Sequence, residues 1–168
     1  MGSRVAIPAR LLRDPGHFLA LGFGSGLVPF APGTAGTVAA IPVFLLLQSL
    51  GWTVYMAVTV VLFVLGIYLC GRTAKTLAVH DHPGIVWDEV VGYLVTMVLV
   101  PATPVLIITG FVFFRLFDIW KPWPIRKLDA GVGGGLGIML DDILAGVYAA
   151  AFVQTIMAVQ ILPSQFLQ

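Results

Sequence analysis

Four apolar runs leave this chain few ways to fold. They are roughly Ala35–Leu50, Trp52–Cys70, Val90–Phe114 and Ile143–Leu162. The second and fourth are about twenty residues each, the length a helix needs to cross ~30 Å of hydrocarbon. A mean hydropathy of +1.01, with 59% hydrophobic and 10% charged residues, lies far outside the range of soluble globular chains. An all-α integral membrane bundle is therefore expected, formed by the 168 residues as a single domain. Residues 1–21 make an N-terminal segment whose Arg4, Arg10 and Arg13 predict a cytoplasmic location by the positive-inside rule. Those arginines ahead of apolar residues mimic a signal peptide. The Gly and Pro residues from Gly22 to Pro32 suit a continuous signal helix poorly, so the segment is read as retained.

The third run is interrupted by Pro101–Ala102–Thr103–Pro104. A single helix through it would carry two interior prolines, each costing on the order of 3 kcal/mol. The favoured alternative is a re-entrant hairpin with arms of about ten or eleven residues, ~15 Å each at 1.5 Å per residue. The choice decides topology. A span would put the charged islands Gly71–Glu89 and Arg115–Asp142 on opposite faces, whereas a hairpin keeps them together.

Of the eight acidic residues, all but Asp14 fall between Asp81 and Asp142. Asp88 and Glu89 immediately precede one apolar stretch, and Asp141 and Asp142 precede another, so both pairs are expected at helix N-termini. One carboxylate satisfies a cap and the helix dipole. Two adjacent acids at two helix starts exceed that need and match the oxygen donors of a hard cation such as Mg²⁺. Capping with surface charge remains the competing explanation. Asp118 and Asp129 are further candidate ligands. Arg115, Asp118 and Lys121 follow at i, i+3 and i+6, so they share one helix face, ended by Pro122. That face is either an ion-pair ladder or, beside the interfacial anchors Trp120 and Trp123, a place to hold phosphate.

The Gly-rich pieces around Gly22, Gly33 and Gly133 fit neither a dinucleotide fingerprint nor a P-loop, and serve better as loops where backbone N–H groups approach an anion. His80 and His82 are expected to line or flank the site. His17, without a partner in the pattern, is expected at the membrane-boundary surface. Cys70 is expected to be a small buried apolar residue. A net charge of +1 implies no bulk attraction to nucleic acid. A transporter is disfavoured because the charges cluster at run ends and no inverted repeat is visible. A non-catalytic scaffold would give the clustered carboxylates no purpose.

Four stretches in order, "GFGSGLVPFAPGTAGT", "HDHPGIVWDEVVG", "FRLFDIWKPWPIRKLD" and "GGGLGIMLDDILAG", resemble the phosphatidylglycerophosphatase A family of bacterial membrane enzymes, a similarity covering about Gly22 to Tyr148. The resemblance implies a mainly helical, Mg²⁺-dependent enzyme of phospholipid synthesis at the cytoplasmic face of the inner membrane. It would remove the terminal phosphate of phosphatidylglycerophosphate to give phosphatidylglycerol. On that footing Asp88, Glu89, Asp141, Asp142 and Asp129 are the expected metal ligands, and Asp118 joins Asp88, Glu89, Asp141 and Asp142 in catalysis. Arg115, Lys121, Arg126, His82, Gly33, Thr34 and Gly36 are expected to hold the substrate.

Overall fold

A computed structural model describes residues 7–79 and 82–165, and the side chains of these except 129–130 and 160–165. Among the described residues the chain is helical throughout. Its α-helices are α1 (Pro15–Ala20), α2 (Pro32–Gln48), α3 (Trp52–Leu77), α4 (Trp87–Thr96), α5 (Pro104–Trp120), α6 (Ile125–Gly131) and α7 (Gly134–Gln165), with 3-10 turns at Ala9–Arg13 and Gly22–Leu27. Helices α3 and α7 are long and apolar enough to cross a membrane; α3, with 26 residues, is about 39 Å long. Both extend beyond the apolar runs, because the ends of those runs continue as helix into the polar islands.

Helix α7 is the hub, packed against α3, α4, α5 and α6. The buried interior between them is aromatic and aliphatic: Phe44, Tyr93, Leu94, Met97, Phe114 and Val153 on one side, Leu69, Trp87, Val91 and Met139 on the other. Cys70 is buried in the second group, as expected.

The third apolar run is a hairpin. Helix α4 ends at Thr96, Leu99 takes a left-handed φ of 59°, and α5 begins at Pro104 with the Thr103 hydroxyl accepting from the Leu106 N–H. The arms are unequal, which departs from the expected ten or eleven residues each. Helix α4 has 10 residues, but α5 has 17, because it continues past Phe114 to Trp120. The turn therefore reaches the level of the α2–α3 connection, where residues 97–101 share a cavity with Gln48, Gly51, Trp52 and Tyr55. An unpaired carbonyl in lipid costs several kcal/mol. Here neighbours cover them: Tyr55 donates to the Leu94 carbonyl at 2.6 Å and Gln154 to that of Val98 at 3.2 Å, while Tyr93 ties α4 to α5 through the Ile107 carbonyl at 3.1 Å.

At the opposite end of the bundle lie the starts of α2, α4 and α7 and the ends of α3 and α5, so both polar islands share one end. Helix α1 is tied down there. Asp14 caps it, accepting from the N–H groups of Gly16 and His17, and takes Arg72 in a two-pronged pair at 2.9 and 2.7 Å. The guanidinium holds the Asp14 carboxyl down at about 2, so the tie stays charged in neutral solution. His17 is not a surface residue: it is buried, with Nδ1 2.9 Å from the Thr73 hydroxyl, and burial lowers its pKa so that it is neutral there.

Helices α4 and α7 start at the same end and touch through glycine. A Cβ on Gly146 would overlap the carbonyl oxygen of Gly92, and one on Gly92 would lie 2.8 Å from the carbonyl oxygen of Asp142. Small residues permit such backbone contact between helices in lipid. Gly146→Ala ordinarily gains about 1 kcal/mol of helix propensity. Here overpacking should cost about 1–3 kcal/mol, a fall in Tm of about 2–12 °C in detergent. Gly131→Ala, with open space around it, is the control. A rise in Tm for Gly146→Ala would contradict the contact.

Candidate metal and phosphate site

Asp88 and Glu89 occupy the first turn of α4, as expected. Asp142 does not start a helix. Helix α7 begins at Gly134, so Asp141 and Asp142 lie two turns inside it. The Gly-rich stretch before them reads as a loop but is helical, and its Gly135 packs directly onto α3, where a Cβ would overlap the Ile67 carbonyl. Asp88 and Asp142 each stand four residues before a contact glycine, Gly92 and Gly146. The glycine crossing thus brings the two carboxylates together. The Asp-x-x-x-Gly spacing, which Asp129 and Gly133 also share, is a signal in the sequence that reasoning from charge alone passes over.

Ligand oxygens of Asp88, Glu89 and Asp142 lie within 4.8 Å of one another. Asp88 is 8% exposed and Asp142 3%. One oxygen of each, Asp88 Oδ1, Glu89 Oε2 and Asp142 Oδ2, is buried without a hydrogen-bond donor. Arg115 Nη1 pairs with Asp118 Oδ2 at 2.6 Å and lies 3.7 Å from Glu89 Oε1, and Asp118 is within interaction range of Asp142. Glu89 and Asp118 thus share one guanidinium, and Asp88 and Asp142 stand beside them. At this spacing and an effective dielectric of about 20, each ionised pair repels by on the order of 3–4 kcal/mol. A helix-dipole interaction returns only about 0.3–1 kcal/mol. Capping therefore cannot explain the group, and for Asp142, two turns inside its helix, there is no free N–H to cap. A hard cation fits: the donors are carboxylate oxygens, three of them unpartnered and convergent.

Asp141 is not in this group. Successive helical residues point about 100° apart; Asp141, also buried, accepts from Lys121 Nζ at 2.6 Å. That pair also corrects the expected ladder. Lys121 sits in the left-handed region at the end of α5 (φ 46°), so only Arg115 and Asp118 share a helical face. The Asp129 side chain, His80 and Asp81 lie outside the described residues.

The anticipated loop Gly33–Gly36 is the first turn of α2. Gly33 lies against the acids: a Cβ there would overlap Glu89 Oε1 and come within 3.1 Å of Arg115 Nη1 and Nη2. No side chain caps α2, and Thr34 is half-buried in that turn. Gly36 packs instead against Val86. His82 is buried in its own loop, accepting from the Gly84 N–H at 3.0 Å, and lines a separate cavity with Gly26 and Pro32. Arg126 is exposed on α6 and lines a cleft with Lys121 and Lys127, apart from the carboxylate group.

A family profile described as phosphatidylglycerophosphatase A matches residues 18–157. The Escherichia coli (strain K12) protein of that name is 50% identical over 140 residues, covering 83% of this chain and 81% of the relative. The Haemophilus influenzae protein of the same name is 46% identical over 144 residues, covering 84% and 88%. A Bacteroides thetaiotaomicron protein, provisionally named a phosphatidylinositol-3-phosphatase, is 40% identical over 137 residues, covering 76% and 84%. No solved structure matches the chain.

Thermal melts in detergent test the cation site without an activity assay. Mg²⁺ at about a hundred times its dissociation constant should stabilise the wild type by about 2.7 kcal/mol. Asp142→Asn and Asp88→Asn should lose most of that shift without lowering the metal-free Tm, since each removes a buried like charge. A full Mg²⁺ shift in both variants would rule the group out.

Proposed function

The chain belongs to the phosphatidylglycerophosphatase A family, and we propose that it hydrolyses the terminal phosphomonoester of phosphatidylglycerophosphate with Mg²⁺ at the cytoplasmic face of the bacterial inner membrane. The observation that carries the residue roles is the convergence of Asp88, Glu89 and Asp142 beside Arg115 and the uncapped start of α2. Asp88, Glu89 and Asp142 would hold the Mg²⁺, which when bound supplies positive charge and Lewis acidity to the phosphoryl oxygens. Asp141 serves indirectly, by holding Lys121.

The rest falls to this chain's own donors. The Arg115 Nε–H is buried without an acceptor and is available to a phosphate oxygen. Asp118 positions that guanidinium through the 2.6 Å pair. The first-turn amides of Gly33 and Thr34, with the Thr34 hydroxyl, supply donors at the positive end of α2. Water attacks phosphorus, the P–O bond to glycerol breaks, and the departing glycerol oxygen takes up the proton that water loses. The products are phosphatidylglycerol and inorganic phosphate. Phosphatidylinositol 3-phosphate, after which one relative is named, shares the substrate chemistry: a phosphomonoester on the headgroup of a phosphodiester lipid.

Phosphate release from detergent-solubilised phosphatidylglycerophosphate, with and without Mg²⁺, tests this reading. Asp88→Asn, Glu89→Gln and Asp142→Asn should each lower the rate by about 10² or more, the scale of a lost electrostatic contact in a transition state. Arg115→Lys, which keeps charge but loses the fork, should fall further than Asp141→Asn. Near-normal turnover in the first three variants would refute the assignment.

Sidedness is tested in a Cys70→Ala background. Thr76→Cys and Lys127→Cys should react with an impermeant thiol reagent from the cytoplasmic side, and Ser49→Cys, at the α2–α3 turn, from the other. Labelling of positions 76 and 127 from opposite sides would overturn the shared face.

A further inference from the structure

The carboxylate group leaves one cationic feature unused. Between the end of α5 and α6 lies a cleft of about 440 Å³, lined by Trp120, Lys121, Pro122, Trp123, Arg126 and Lys127. Its walls are braced. Ile125 is fully buried beneath it, and Tyr148 of α7 donates to the Trp123 carbonyl at 3.1 Å. Arg126 and Lys127 are exposed, and among the described residues neither pairs with a carboxylate. Trp123, 72% exposed, and Trp120, 61% exposed, stand at the end of an apolar helix, which is where indole rings mark the headgroup level of a bilayer.

We infer that this cleft binds the bridging phosphodiester of the lipid substrate while the terminal phosphomonoester sits at Asp88, Glu89 and Asp142. This rests on the proposed reaction. Three observations favour it. First, the cleft is cationic whereas the neighbouring group is anionic, so a substrate with two phosphates finds one complementary surface directly and the other only through a cation. Second, the cleft lies at the level where the diester of a membrane-anchored lipid resides, since its acyl chains cannot leave the hydrocarbon. Third, the two places are joined. Lys121 lines the cleft and its Nζ reaches Asp141, the neighbour of Asp142 in α7. A glycerol headgroup spanning that pair would carry one phosphate to each side. Arg126 and Lys127 supply the charge-assisted donors that a singly charged diester requires.

The test uses the full chain in neutral-detergent micelles, with Arg126→Gln, Lys127→Gln, the double variant and Arg126→Lys. The probes are phosphatidylglycerophosphate as substrate, phosphatidylglycerol as a competitor carrying only the diester, and inorganic phosphate as a competitor for the monoester position. In the double variant, KM for the substrate and Ki for phosphatidylglycerol should both rise about tenfold. The Ki for inorganic phosphate should move less than twofold, and turnover at saturation should hold within about twofold. Arg126→Lys should recover much of the KM. A parallel rise in Ki for inorganic phosphate would assign these residues to the monoester instead and overturn the inference. So would an unchanged Ki for phosphatidylglycerol, or its failure to compete in the wild type. Absence of wild-type turnover on phosphatidylglycerophosphate refutes the parent reaction; normal turnover with unmoved KM and Ki refutes the diester site alone.

Discussion

The contact between Gly92 and Gly146 is the constraint on which the site depends. Helices in lipid gain nothing from exchanging tails for leucine, so close packing and polar contacts must hold them together. Where backbone meets backbone, the first inward residue one turn earlier on each helix is forced into proximity, and here those residues are Asp88 and Asp142. Their separation is set by main chain, which cannot swing aside as a long side chain can. Bringing buried carboxylates this close costs several kcal/mol of repulsion in the absence of a cation. A bundle with thicker contact residues would relax that repulsion by letting the acids drift apart. The glycines remove that freedom, so the group remains assembled and its oxygens convergent.

The hairpin is the second condition. Helices α4 and α5 bring Glu89 and Arg115 to the same end because the chain turns back at residues 97–103. A broken helix at membrane depth frees carbonyl groups, and Tyr55 and Gln154 accept that burden from α3 and α7, the two helices among the described residues long and apolar enough to span. The spanning helices are therefore more than an anchor. They supply the hydrogen bonds without which the short arm α4 could not end where it does, and α4 carries two of the three clustered acids.

Much of this was legible in the chain. The prolines at 101 and 104 announced the break because proline cannot donate, and the confinement of the acids to two islands pointed to the shared polar end because charge beside lipid is costly. What escaped is tertiary. Gly134–Gly137 looks like a loop by composition, yet it opens α7, with Gly135 packed tightly against α3. Which of Asp141 and Asp142 joins Asp88 and Glu89 depends on the phase of a helix that starts two turns before them. His17 gave no signal because its partner Thr73 is 56 residues away. The cue was short: an acid followed, four residues on, by glycine, a spacing that Asp88, Asp129 and Asp142 share.

The pairing of Lys121 with Asp141 divides the polar end of the bundle into two fields. On one side lie carboxylates that face α2 and Arg115; on the other lies a cleft whose exposed side chains are cationic or indole. Merged into one patch, Lys121, Arg126 and Lys127 would neutralise the acids and compete with any cation that those acids could hold. Kept apart by a single ion pair, each field keeps its sign. Asp141 thus has a reason to sit beside Asp142 without joining it. Adjacent residues on a helix point to different sides, so one dipeptide can complete the anionic group and anchor the boundary of the cationic one.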